Sequence, residues 1–144
     1  MADGLHVVCP HCRQVNRVPA EKLEAGGKCG ACHEPLFTGH PAELDARALE
    51  QHIRGNDIPL VVDFWAPWCA PCRMMAPAFE RVTRRLEPRL RFAKLDTEAH
   101  PRAAVPYAIR GIPTLILFQG GKERDRISGA LDERSLEAWI AQRL

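Results

Sequence analysis

Six cysteines fall in three Cys-x-x-Cys pairs, Cys9/Cys12, Cys29/Cys32 and Cys69/Cys72, and none is left over. Two thiols at this spacing can close a small disulfide ring or supply half of a four-thiolate metal site. Their surroundings divide the pairs. Cys9-Pro-His-Cys12, sixteen intervening residues and Cys29-Gly-Ala-Cys32 have the spacing of a tetrahedral zinc site. The segment that carries them is poor in apolar residues and has a Gly26-Gly27 turn. A piece of chain under about 40 residues usually needs a metal or disulfides to hold it, and a closed zinc site supplies that folding energy. Cys9, Cys12, Cys29 and Cys32 are therefore the expected ligands of one zinc ion. His11 and His33 could replace a thiolate, but four cysteines suffice. A rival exists: Cys-Pro-His-Cys also resembles the active site of oxidising disulfide proteins, although here it lacks a Phe-Trp strand before it, a long helix after it and an export signal.

The third pair sits in a different setting. Val61-Val-Asp-Phe-Trp-Ala-Pro-Trp-Cys-Ala-Pro-Cys72 reads as strand, turn, Cys-x-x-Cys, helix. Cys69 falls at the helix N-terminus, where unpaired N–H groups and the macrodipole favour a thiolate. The thiolate is the nucleophile. Cys72, partly shielded one turn inward, can displace what Cys69 captures. Pro71 lies between the thiols and restricts the loop. Half of a zinc site is the rival reading, but the other two pairs already suit each other.

Asp63-Phe-Trp-Ala-Pro-Trp-Cys-Ala-Pro-Cys72, Ala76-Pro77, Lys94-Leu-Asp96, Ile109-Arg-Gly-Ile-Pro-Thr114, Gly120 and Gly129 together resemble the thioredoxin family over about Asp45 to Leu144. The resemblance implies a protein disulfide reductase with no organic cofactor of its own. It implies that Cys69 attacks, Cys72 resolves, Asp63 accepts the Cys72 proton and Lys94 partners Asp63. It implies that Pro113 is the cis-proline beside the disulfide and Trp68 the tryptophan of the substrate groove. With the N-terminal ribbon, the whole chain is similar to the thioredoxin-2 type. That likeness implies disulfide-containing protein substrates and reduction by a flavin-dependent, NADPH-using thioredoxin reductase. Ala70 departs from the usual glycine and bears on redox potential and partner choice rather than on the reaction.

The same residues carry readings of their own. A carboxylate in an apolar strand is costly unless neutral or paired, so Asp63 is either a proton acceptor with a raised pKa or a core acid bonded to Lys94. Pro113 opens a strand, where a cis bond or an ordinary turn proline both fit. Trp65 and Trp68 suit either a core or an exposed surface. Two further functions compete with reduction: a thioredoxin-fold isomerase or oxidase, and a zinc-ribbon binding module in which the third pair is incidental.

The elements that must position these residues follow from the pattern. A seam at Thr38-Gly39-His40-Pro41 separates an expected zinc ribbon, residues 1–40, from an expected thioredoxin domain, residues 41–144. After it come a helix capped by Asp45 through Leu49 and Ile53 to Arg54, a buried strand over Pro59 to Ala66, and a helix over Cys69 to Leu86 kinked at Pro77. A second buried strand covers Arg91 to Asp96, and a short helix covers Pro101 to Ile109. Thr114–Gln119 and Glu123–Ser128 form a glycine-turn hairpin of antiparallel edge strands. A last amphipathic helix is capped by Asp132. The fold class is α/β: a central mixed sheet flanked by helices, preceded by the ribbon.

The 144 residues carry a formal charge of +2, from 20 basic and 18 acidic side chains. Through His40 the balance is four against four, or zero, and zinc with four thiolates would add −2. That is a poor match to phosphates, so no nucleic-acid partner is expected. Arg81, Arg84, Arg85, Arg89 and Arg91 read as a solvated helix face. No stretch reaches the roughly 18 apolar residues of a membrane span, and the start lacks an export signal. A reducing, cytoplasmic setting and a monomer are expected.

Overall fold

The computed structural model describes residues 4–144. The ribbon begins with an antiparallel hairpin of β1 (Leu5–Val8) and β2 (Val15–Val18), followed by a 3-10 turn over Ala20–Ala25. Beyond the seam the elements are β3 (Ala42–Leu44), α1 (Ala46–Gly55), β4 (Leu60–Trp65), α2 (Ala70–Leu86), β5 (Arg91–Asp96), α3 (Pro101–Ala104), β6 (Thr114–Gln119), β7 (Lys122–Ser128) and α4 (Glu133–Ala141). They build one sheet in the order β3-β5-β4-β6-β7. Strands β3, β5 and β4 run parallel, while β6 is antiparallel to both β4 and β7. This is the mixed sheet flanked by helices that the pattern predicted.

Alternation along the central strands sorts the core into two layers. Leu60, Val62 and Phe64 of β4 join Leu49 and Ile53 of α1 on one face. Val61 joins Met75, Phe79 and Val82 of α2 and Leu136, Trp139 and Ile140 of α4 on the other. By the same alternation Asp63 lies on the α2 face. The side chain of Asp45 accepts from Ala48 N at 2.8 Å and starts α1. Asp45→Ala is expected to cost about 1 kcal/mol, read as a shift in the urea midpoint.

Four expectations need correcting. The strand β3 was not foreseen; three residues are too few to show a period. The Pro101–Ile109 helix breaks after Ala104 into a 3-10 turn over Val105–Tyr107, and Ala108 is left-handed at φ 51°. Pro106 has no N–H to continue the α pattern. Of the hairpin, only β7 is an edge; β6 is interior, paired on both sides. The turn between them uses Gly120 and Gly121 at φ 62° and 79°, as a tight hairpin requires.

The arginines, fourth, do not share one solvated helix face. Arg81 and Arg85 reach Glu133 and Glu137 of α4 at 2.5–2.6 Å, and Arg84 lies 3.8 Å from Glu80, all near the surface. Arg91 belongs to no helix face. It opens β5 and is 1% exposed. Its Nη2 donates to Val8 O at 2.9 Å, and its guanidinium covers the Phe37 ring at 4.3 Å. The ribbon therefore seats on the sheet end. Val8 N donates to Asn56 Oδ1 at 2.8 Å, and Asp57 N to His6 O at 2.8 Å. Ile58 enters the small core of Val7, Leu23 and Leu36. The approach is close enough that a Cβ on Gly55 would come within 2.7 Å of Val8 Cγ2.

Candidate functional site

Two cysteine centres form. In the first, Cys69 is the N-cap of α2, and its Sγ accepts from Cys72 N at 3.2 Å. Ala70 and Pro71 occupy the first positions of the helix, where a missing proline N–H costs nothing. Cys69 and Cys72 are joined as a disulfide with Cα atoms 5.3 Å apart. Both cysteines are buried overall, Cys72 the deeper. The loop before them is held by Arg73, whose Nη1 donates to Pro67 O at 2.7 Å. Nothing in the spacing had singled out Arg73. Helix α2 runs through Pro77 without interruption.

Of the residues selected from the sequence, Pro113 and Trp68 flank this pair. Pro113 follows a cis peptide bond, and Ile112 O lies 3.7 Å from Cys69 Sγ. Trp68 is 66% exposed and borders a groove of about 230 Å³ with Thr97, Ile109, Arg110 and Ile112. Trp65 is half-buried. Asp63 is fully buried, and neither carboxyl oxygen has a hydrogen-bond partner. The reading of a core acid bonded to Lys94 is thus set aside. Lys94 is its register partner on β5, but its ammonium lies over the Trp65 ring, 4.2 Å from the centroid. Burial pushes the Asp63 carboxyl up to about 7, and the nearby Lys94 charge pulls the other way. A group poised there can take or give a proton near neutral pH. A cavity of about 360 Å³ is lined by Glu43, Trp65, Lys94, Asp96 and His100.

The second centre is the ribbon. The sulfurs of Cys9, Cys12, Cys29 and Cys32 all lie within 4.8 Å of one another, while His11 and His33 stay out of the cluster. Cys9–Cys32 and Cys12–Cys29 are 3.6 and 3.5 Å apart. A zinc–sulfur tetrahedron has edges of about 3.8 Å, so the donors fit that ion; these separations are too long for disulfides.

The two halves repeat one turn. Arg13 N donates to Cys9 O and His33 N to Cys29 O, with Arg13 and His33 both left-handed. His11 N and Cys12 N point at Cys9 Sγ, and Ala31 N and Cys32 N point at Cys29 Sγ, at 3.3–3.5 Å. The Asn16 amide donates to Cys29 Sγ and accepts from Gly30 N. The Cys32 N–H and the Asn16 side chain draw the Cys29 thiol down to about 5. Asn16 escaped the sequence reading because a polar residue in a polar segment carries no signal.

The thioredoxin family model matches residues 40–142, and the model for the N-terminal segment of thioredoxin 2 matches residues 8–34. Thioredoxin C-3 of Corynebacterium nephridii is 44% identical over 96% of this chain and 94% of its own length. Thioredoxin 1 of Nostoc sp. is 37% identical over 72% of this chain and 96% of its own. The crystal structure of Malassezia sympodialis thioredoxin superposes with a TM-score of 0.67 at 32% identity, covering 78% of this chain and 97% of that one. With a redox Cys-x-x-Cys at a helix N-terminus and four further cysteines positioned for metal binding, this chain belongs to the thioredoxin family of disulfide oxidoreductases, in the branch that carries an N-terminal zinc ribbon.

Proposed function

We propose that this chain reduces disulfides in other proteins through Cys69 and Cys72 and is itself reduced by an NADPH-dependent thioredoxin reductase. The observation that carries the reading is the Cys69–Cys72 disulfide at the N-terminus of α2, in a protein whose Asp63 carboxyl is buried with no partner. In the reduced form, the free N–H groups of α2 favour the Cys69 thiolate. It attacks one substrate sulfur, forms a mixed disulfide and expels the other as a thiolate. Cys72 then loses its proton to the Asp63 carboxylate and attacks Cys69 Sγ. The mixed disulfide breaks, the second substrate thiolate leaves and takes up a proton, and Cys69–Cys72 is oxidised by two electrons.

Supporting roles follow from position. Lys94 biases the charge of Asp63. Trp68 and the backbone around cis Pro113 offer the surface on which a substrate strand lies beside Cys69. Pro71 fixes the spacing of the two sulfurs. The four ribbon cysteines would hold one zinc ion, whose tetrahedral cross-link supplies the fold of that segment. We place the boundary between ribbon, residues 1–40, and thioredoxin domain, residues 41–144, at the Gly39–Pro41 seam. A monomer acting in the cytoplasm, where free thiols stay reduced, completes the proposal.

The test is NADPH oxidation coupled through thioredoxin reductase to insulin reduction, with zinc content measured on the same preparation. Steady turnover and one zinc per chain are expected. Absence of turnover with a reductase that accepts other thioredoxins would sink the proposal.

A further inference from the structure

We infer that Arg91 is the counter-charge of the ribbon's metal centre: a guanidinium supplied by the sheet, held against the residue that precedes Cys9, balances the net negative charge of the four-thiolate zinc site. This rests on reading Cys9, Cys12, Cys29 and Cys32 as zinc ligands. A divalent ion with four thiolates carries −2, and charge out of water is costly unless matched. Cys9 and Cys29 are buried.

Arg91 is buried too, and its neighbours fall into two sets. On the sheet side, Glu87 Oε2 stands 3.7 Å from Nη1, beyond a hydrogen bond. Glu87 is engaged elsewhere: its oxygens accept from Gly39 N at 3.3 Å and Phe92 N at 3.4 Å. Burial pushes its carboxyl up to about 7. His52 lies near as well, kept neutral by burial and by the Arg91 charge, and its Nδ1 meets Asn56. On the ribbon side, Arg91 Nη2 donates to Val8 O and Phe37 covers the guanidinium face; burial draws the guanidinium down to about 10, with Glu87 and then Cys9 pulling the other way. Arg91 Nε is buried with no partner at all. The hydrogen bond to Val8 O places this cation at the residue that precedes Cys9. Val8 is gripped at both ends, its N–H by Asn56 and its C=O by Arg91, so the charge has a fixed place relative to Cys9.

Charge matching and mere docking predict opposite outcomes for the two members of the Arg91–Glu87 pair. The experiment uses the full zinc-loaded chain and measures zinc affinity by competition with a chromogenic chelator at pH 8, where Glu87 is ionised. Arg91→Met is expected to weaken zinc by about 10–100-fold, the range seen when a group supporting metal ligands is lost. Arg91→Lys, which keeps the charge, is expected to lose less than Arg91→Met. Glu87→Gln removes the competing charge and keeps one of the two acceptor oxygens that serve Gly39 N and Phe92 N, and is expected to bind zinc at least as tightly as the wild type.

Zinc affinity within twofold of wild type in Arg91→Met overturns the inference. So does a Glu87→Gln variant weakened like Arg91→Met, which would reduce Arg91 to a docking contact. Should Arg91→Met not fold, Arg91→Lys and Glu87→Gln decide: affinity lower in Glu87→Gln than in wild type overturns the proposal. A wild-type protein without zinc overturns this inference together with the reading of the ribbon, whereas the other failures leave that reading standing.

Discussion

Cys69→Ser is expected to bring insulin reduction down to the uncatalysed background, while Cys72→Ser is expected to stall as a stable adduct with its substrate. The two sulfurs differ in what each can do. Cys69 caps α2 and receives the Cys72 N–H, so its anion is the one the helix terminus supports. Cys72 is the deeper of the two and serves to release what Cys69 holds. Without Cys69 no mixed disulfide forms. With Ser at position 72 the first exchange proceeds and the second has no nucleophile. Non-reducing gels and intact-mass measurement would reveal the adduct. Recovery of full turnover in Cys72→Ser would contradict the division of labour, and activity surviving Cys69→Ser would remove the basis for a reductase.

The second large effect belongs to Asp63. Asp63→Asn is expected to slow release of the mixed disulfide by on the order of 100-fold, in the range of a lost general base, and to flatten its pH dependence near neutrality. Stability should move the other way. The Asp63 carboxyl titrates near 3.8 when unfolded and at about 7 in the fold. The native state therefore binds the extra proton between those values, and stability falls as pH rises through that window. Below about pH 4 the carboxyl is neutral in both states and the penalty vanishes. Above about pH 7 the penalty is complete, on the order of 4 kcal/mol for a difference of about three pH units. Asp63→Asn should accordingly unfold at higher denaturant than wild type at pH 8 and at a similar concentration at pH 3.5. Equal midpoints at both pH values would mean that the carboxylate has found a partner in solution.

Much of this was legible in the chain. The apolar run ending at Trp65, followed at once by Cys-x-x-Cys and a helix pattern, defines β4, the turn and α2, because strand burial, helix capping and thiol spacing are local properties. The two N-terminal pairs, spaced as ligands in a segment with little to bury, likewise declare a metal centre. What escaped was decided at a distance. Arg91 continues an arginine series at helical spacing, and only the turn at Pro88 and partners 83 residues away in sequence turn it inward. Asp63 could have been paired with Lys94, its neighbour across the strands; the choice went to the Trp65 ring, which takes the ammonium. Asn16 and Arg73 support their cysteines through single polar contacts. Residues of those types are common on any surface, so composition could not mark them.

The ribbon and the redox pair stand at opposite ends of the same strands. Ile58 meets the ribbon core just before Leu60, and Cys69 follows just after Trp65. The six residues of β4 alone span about 16 Å at 3.3 Å per residue, many times the reach of one sulfur to another. A sulfhydryl lost to oxidation in the ribbon therefore lies outside the arc of Cys69 on its own chain. Its repair by Cys69 would have to come from a neighbouring copy, with a rate that grows as the square of protein concentration.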